Sequence, residues 1–405
     1  MGLTRRGFLH LGGMGLVATA CAPPRAMLLG SEAVATPQAF PAERPGEPLL
    51  VVIFLRGGAD GLSLVPPLGE PGYASARGGL ALSGAEPFAT GFGLHPELSP
   101  LLPIAERGEL AVVHAVGSPH PTRSHFEAQD FMELGATGRS ELRDGWLARA
   151  LGESSGPDPF ACLAVASRLP LSLRGAGSFA VGDPAAFGLA GANESERAAL
   201  ASLYAAAEDD PVALAGRRAL AALSEYERRM GRAPASRGRG ARPGLAVSAR
   251  QVLAMEQAGL PLRALFLESQ DWDTHVRQGA ETGTLANRAR DLAEGVALLD
   301  ASLHGRRELR VVVMTEFGRT VRPNGSGGSD HGHGSVMLVA GSRVRGGLHG
   351  DWPGLAERDL HEGRDLAVTT DWRCVLHEVL VAHLGAAPPP DTFPAFRPEA
   401  LGLFA

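Results

Sequence analysis

Residues 49 to 61 read LLVVIFLRGGADG. An unbroken apolar run of strand length that stops on glycine and aspartate is the signature of a strand buried on both faces, because a strand with one wet face alternates polar and apolar residues. The same texture recurs in ELAVVHAV (109 to 116), RALFLES (263 to 269), ELRVVVMTE (308 to 316) and SVMLVAG (335 to 341). Helical patterns such as SHFEAQDFMEL (124 to 134) and TLANRARDLAEGVALLDASL (284 to 303) lie between them. Strands alternating with helices predict an α/β fold, doubly wound around a mostly parallel sheet. Residues 190 to 231 are alanine-rich with helical spacing, and APASRGRGARPG (233 to 244) has linker composition, so 185 to 258 reads as a helical insertion in a domain running from 48 to 405.

With 405 residues, 44% of them hydrophobic and 20% charged, the chain is long enough to bury a large core. All 38 basic residues are arginine. The absence of lysine excludes Schiff-base and pyridoxal-phosphate enzymes and a P-loop with its phosphate-binding lysine. A net charge of −6 argues against a nucleic-acid partner. The N-terminus, LTRRGFLHLGGMGLVATACAPP, pairs a twin arginine with an apolar stretch too short to span a bilayer comfortably. It reads as a twin-arginine export signal over residues 1 to 35, followed by a Pro-rich linker at 36 to 47. The translocase is then a transient partner, the mature chain has no transmembrane domain, and its location is periplasmic or otherwise extracytoplasmic. AVA at 33 to 35 suits signal peptidase, while ATAC ending at Cys21 offers a lipid-anchor site instead. Cys162 and Cys374 remain after processing, which gives neither a disulfide framework nor a cysteine metal site.

Ligands of open α/β sheets bind beyond the carboxyl ends of the strands, where loops converge and helix N-termini point their amides outward. Those exits carry the compact acid and imidazole clusters of this sequence. Asp60 follows the first strand; DWDTH supplies Asp271, Asp273 and His275; TEFGR supplies Glu316 and Arg319; SDHGHG supplies Asp330, His331 and His333. Carboxylate with imidazole suits zinc, manganese or a related divalent metal. With strand-like spacing Asp271, Asp273 and His275 share a face, and glycines around His331 and His333 let the backbone turn both rings to one point. Blander readings stand beside these: an Asp-Gly turn at Asp60, a Glu316 to Arg319 ion pair, a solvated glycine-rich loop around the histidines. In TRSHFEAQ, Ser124 and Glu127 have the spacing of a helix capping box. A hydroxyl at a helix N-terminus also sits where an anionic ester is attracted, so Ser124 is a candidate nucleophile, with His125, His120 and Arg123 beside it. Arg56, Arg123 and Arg319 are the guanidiniums available to clamp a phosphate or sulfate.

LLVVIFLRGGADGLSLVPP, PTRSHFEAQDFME, WDTH, TEFGRTVRPNGSGGSDHGHGSVMLVAG and GDWPGL together resemble domain-of-unknown-function family 1501, exported bacterial proteins of the alkaline phosphatase and sulfatase superfamily, over roughly residues 48 to 384. The resemblance implies an alkaline-phosphatase-like fold and a two-metal hydrolase site. In that superfamily one metal takes an aspartate after the first strand, a serine or threonine nucleophile and an Asp-His pair, and the other takes Asp-x-x-x-His and a later histidine. Asp60, Ser124, Asp271 and His275 fit directly. For the Asp-His pair, Asp330-His331 is one alignment. The preferred one sets Glu316 in the acidic place, Phe317 where a histidine belongs, and His331 or His333 as the later histidine, leaving one site a ligand short. Two functions follow as expectations: an exported hydrolase of phosphate or sulfate esters using zinc, manganese, magnesium or calcium on an anionic small-molecule or polymer substrate, or a non-catalytic exported binding protein on the same fold. An iron or copper oxidoreductase has little to recommend it, lacking cysteine ligands or a second histidine-rich helix.

Overall fold

The structure, a computed structural model, describes residues 46–138, 141–152, 158, 160–175, 178–182, 187–189, 192–206, 210–231 and 243–405. The export signal, nearly all of the Pro-rich linker and most of the 233 to 244 segment lie outside the described residues. Among the described residues no helix is long and apolar enough to cross a membrane.

The strands in chain order are β1 (Pro48–Leu55), β2 (Glu86–Ala89), β3 (Phe92–Leu94), β4 (Leu110–Gly117), β5 (Cys162–Val165), β6 (Phe179–Ala180), β7 (Ala264–Ser269), β8 (Glu308–Thr315), β9 (Ser335–Gly341), β10 (Gly347–His349) and β11 (Thr370–Asp371). The small antiparallel pair β2–β3 stands apart, and the central sheet runs β10-β4-β9-β8-β1-β7-β5-β6, with β11 also on β4. Each apolar run singled out in the sequence is one of these strands. β1 lies between β8 and β7, parallel to both, with Ile53 opposite Val313 and Leu267. The exception to the parallel order is β9, antiparallel to both β8 and β4. It is buried along its whole length like its neighbours, so its apolar run carries no mark of direction.

Helices cover both faces. On one, Val51, Ile53 and Leu55 of β1 meet α6 (Leu245–Gln257) and α7 (Thr284–Leu303) through Val252, Met255, Leu292 and Val296. On the other, Leu50, Val52 and Phe54 meet α8 (Trp372–Leu384) through Val375, Leu376 and Val379. The remaining helices used below are α1 (Gly61–Leu64), α2 (Tyr73–Arg77), α3 (His125–Leu134), α4 (Glu194–Ala205) and α5 (Pro211–Met230). The span 185 to 258 thus contains α4, α5 and α6. α4 buries no residue, whereas α6 is part of the core layer.

Because β1, β4, β7 and β8 all run the same way, their carboxyl ends share one edge, and the antiparallel β9 begins there. The chain leaving β8 therefore returns into β9 at that edge without crossing the sheet, and residues 316 to 334 stay on it.

Candidate metal centre

Three imidazoles and a carboxylate converge on this edge. His125 is the first residue of α3, after the loop leaving β4. Asp273 and His275 follow β7, and His331 lies on the return into β9. His125, Asp273 and His331 each offer a donor atom within 4.8 Å of the others. The His331 ring lies 4.3 Å from that of His125 and 4.6 Å from that of His275. His275 Nε2 is 2.9 Å from His331 Nε2 and 3.0 Å from Asp273 Oδ1, while His125 Nε2 is 3.5 Å from Asp273 Oδ2.

What each ring does with its other nitrogen decides the chemistry. His125 Nδ1 meets the Glu316 carboxylate at 2.8 Å, His275 Nδ1 meets Asp330 Oδ1 at 2.9 Å, and His331 Nδ1 meets the Arg123 carbonyl at 2.8 Å. A carboxylate or carbonyl oxygen only accepts, so each Nδ1 donates and each ring turns its Nε2 towards the centre. His125 Nε2 is buried and has no hydrogen-bond partner, a costly state for a polar atom that metal ligation relieves. Oxygen acceptors behind the Nδ1 atoms are the pattern that orients histidine ligands and raises their basicity. The donor set fits a divalent ion of the zinc or manganese type.

The supporting residues have their own charges in balance. Burial would raise the Glu316 carboxyl, but hydrogen bonds from His125 and Gln129 hold it below the usual carboxylate range. The Gly57 amide also donates to it, at 2.8 Å. Arg319 is buried and donates to the carbonyls of Gly57, Gly58, Trp272 and Ser329 and to Asp273 Oδ1. It fixes the loops and overcomes the upward pull of burial on Asp273, keeping that carboxyl ionised. Phe317 packs its ring 4.8 Å from His125 and 5.1 Å from His331, forming an apolar floor.

The loop holding His331 is wedged in by glycines. A Cβ at Gly318 would collide with the Gly334 carbonyl, one at Gly332 with the Arg319 backbone, and one at Gly328 with Thr274 and His275. Gly327 alone of Gly327, Gly328, Gly332 and Gly334 has a positive φ. The glycines serve close backbone approach more than turning, which corrects the expectation that they turn both rings to one point.

The family model described as "Protein of unknown function (DUF1501)" matches residues 111–386, about two-thirds of the chain and most of the elements that carry this centre. The chain belongs to the DUF1501 family. No curated protein matches it. Three of the solved structures that it is similar to follow. One is Ps i-CgsB in complex with k-i-k-neocarrahexaose, at 11% identity and TM-score 0.35, covering 85% of this chain and 74% of that one. Another is the C-terminal periplasmic domain of EcEptC from Escherichia coli in complex with Zn, at 11% identity and TM-score 0.32, covering 75% and 77%. The last is a protein in the alkaline phosphatase superfamily from Vibrio parahaemolyticus, at 12% identity and TM-score 0.30, covering 76% and 63%.

Other candidate residues of this DUF1501 chain lie elsewhere in the edge. Asp60 is not beside the imidazoles. It caps α1, forms a buried ion pair with Arg77 of α2 and accepts from Gln278 Nε2 at 2.6 Å and Ser63 Oγ at 2.9 Å. Burial pushes its carboxyl up, and Arg77 with those hydrogen bonds overrides it, so the charge is already compensated. Asp271 has φ +67°, which breaks the strand-like alternation, and its exposed carboxylate lies 3.7 Å from Arg288. His333 turns the other way to stack on His361 at 4.3 Å, beside a cleft of about 800 Å³ also lined by Asp371 and Arg373. Glu316 and Asp330 stand behind His125 and His275 instead of facing the centre. None of the three arginines proposed for anion clamping is unpaired. Arg56 meets Glu133 at 2.7 Å and Glu268 at 2.6 Å, Arg123 meets Glu362 at 2.6 Å and Asp365 at 2.7 Å, and Arg319 is bound as above. Ser124 is exposed and caps α3, its Oγ accepting from the Glu127 amide at a long 3.5 Å. Glu127 does not complete a capping box, because its carboxylate takes the Thr122 hydroxyl at 2.8 Å. His120 packs on Phe131, at 5.0 Å.

Two groupings escaped the sequence. Arg77 with Gln278 neutralises Asp60, and Gln129 supports Glu316; neither sits in a motif, so only the fold brings them in. A further acid and histidine cluster, Glu109, Asp300 and His304, is filled by Arg107, which donates to Glu109 and Asp300 at 2.7 to 2.8 Å.

Proposed function

We propose that the protein is an exported, metal-dependent hydrolase of phosphate or sulfate esters, with one divalent ion held by His125, Asp273, His275 and His331. The observation that carries this reading is the set of three Nε2 atoms gathered at one carboxylate, each ring fixed through its own Nδ1. A divalent ion there supplies positive charge to polarise an ester oxygen and to offset charge that develops as the ester bond breaks. The protein's own part is to hold that donor set rigid and to present Ser124 at the solvent side. Ser124 immediately precedes His125 and sits at the positive end of a ten-residue helix, where an anionic ester is attracted. Its weak cap bond leaves the hydroxyl free to turn. The twin arginine of the first residues supports export to the periplasm.

One observation favours the second reading, a binding protein without turnover: every arginine considered for the anion already has its carboxylates. One experiment separates them. The mature protein is purified from the periplasm, incubated with zinc or manganese, and assayed for metal and for hydrolysis of 4-nitrophenyl phosphate and 4-nitrophenyl sulfate. The hydrolase reading expects close to one ion per chain, lost in His331→Ala, and turnover that falls at least about a hundredfold in both His331→Ala and Ser124→Ala. Metal bound without hydrolysis of either ester selects the binding protein. Less than about 0.2 ion per chain after incubation removes the metal centre itself.

A further inference from the structure

One buried carboxylate tied to the imidazole cluster belongs to no motif of the sequence. Asp365 closes the turn at 362 to 364 and is fully buried, on a stretch bridged to Thr320. A buried carboxylate needs donors for both its oxygens. Asp365 Oδ2 accepts from the Arg123 guanidinium at 2.7 Å and from Arg364 Nη2 at 2.9 Å, and Oδ1 accepts from Arg364 Nε at 2.8 Å. Both of these arginines also touch His331. The Arg123 carbonyl accepts from His331 Nδ1 at 2.8 Å, and Arg364 Nη2 donates to the His331 carbonyl at 3.0 Å. One carboxylate therefore ties the loop before α3 to the return into β9, and the residue gripped from both sides is His331. The other carboxylate on Arg123, that of Glu362, is 59% exposed, and a surface pair of that kind contributes little.

We propose that Asp365 is a positioning residue for the metal centre: by holding Arg123 and Arg364 together it fixes the direction of the His331 imidazole and so sets how tightly the ion is bound. The inference rests on the metal-centre part of the proposed function. Asp365 is not itself a ligand, since its oxygens are taken by the arginines. Without it two guanidiniums would face each other with no buried counter-charge. Arg123 would then shift, and its carbonyl would leave hydrogen-bonding range of His331 Nδ1. A misdirected ring weakens ligation although every ligand is still present.

The test measures zinc affinity of the mature protein by competition with a chromophoric chelator, together with the visible spectrum of cobalt-loaded protein and the urea midpoint of metal-free protein. Asp365→Asn keeps the shape and removes the charge. It is expected to lower zinc affinity about tenfold to a hundredfold and to shift the cobalt bands, which report ligand geometry. Arg364→Ala decides the matter if the buried variant does not fold. That side chain is 45% exposed, and its loss, which removes the bond to the His331 carbonyl, should lower zinc affinity about tenfold. Glu362→Gln takes away only the exposed partner of Arg123 and should stay within about twofold of wild type. A lower urea midpoint with zinc affinity and cobalt bands unchanged would make Asp365 purely structural and overturn the inference, with the metal centre standing. A loss in Glu362→Gln as large as that in Asp365→Asn would overturn it too, by moving the role to the surface pair. If wild type itself binds no zinc, the metal centre fails and the inference with it.

Discussion

Arg77 and Asp60 are both almost completely buried, and their energetics are set by each other. An ion pair in the interior contributes little over an apolar pair of the same shape, yet removing one partner leaves a bare charge where water cannot reach it. Arg77→Met should therefore lower stability by about 3 to 5 kcal/mol, read as a shift in the urea midpoint, while metal content at the imidazole cluster is retained once the protein is folded. The double variant Arg77→Met/Asp60→Leu should regain much of the loss, and its failure to do so would show that Asp60 is needed by its other partners, Ser63 and Gln278. The same reasoning explains why Asp60 misleads in the sequence. An aspartate closing the first strand looks like a free ligand, because its counter-ion is supplied by α2, in a stretch of no distinctive composition. Asp273 and Asp271 were equally plausible for the same physical reason: alternation puts them on one face, and only the left-handed turn at Asp271 sends that carboxylate to Arg288 and leaves Asp273 facing the histidines.

For elements, helix α3 carries the sharpest test, because its first residues serve two roles. Ser124→Ala should cost only about 1 kcal/mol or less as a lost cap, since the Oγ to amide distance is already long; thermal melts of metal-free protein would read this separately from turnover. A loss well above 2 kcal/mol would mean that the hydroxyl does more for the fold than its one bond accounts for. The elements also show how far the sequence carries. The five long central strands were legible because burial on both faces leaves an unbroken apolar run. β5, β6, β10 and β11 were not, being two to four residues long and too short for a periodicity. The direction of β9 was hidden as well, since a strand buried on both faces has the same composition whichever way it runs. That direction matters, because it brings Glu316, Arg319 and His331 from one loop to the same edge.

Across the whole molecule, acid stability is governed by histidines locked in their neutral form. Burial lowers His114 to about 4 despite its hydrogen bond to the Val65 carbonyl, and burial together with Arg310, Arg263 and Arg307 lowers His383 to about 3. Because the folded values lie below the ordinary one near 6.5, the unfolded chain takes up protons first as the pH falls. This contribution is complete above about pH 6.5 and is lost progressively on the way down to 4 and 3. Urea midpoints of chelator-treated protein should drop between pH 7 and pH 5, His114 alone accounting for about 2 kcal/mol. His114→Gln should flatten that slope, and an unchanged slope would move the effect to other groups. The imidazoles at the sheet edge sit in a different material. Around them Gly318, Gly328 and Gly332 press main chain on main chain so closely that a single added carbon has nowhere to go. Such a wall is closed to variation: no side chain can be grafted onto it, so change in this chain has to come where main chain is not pressed against main chain.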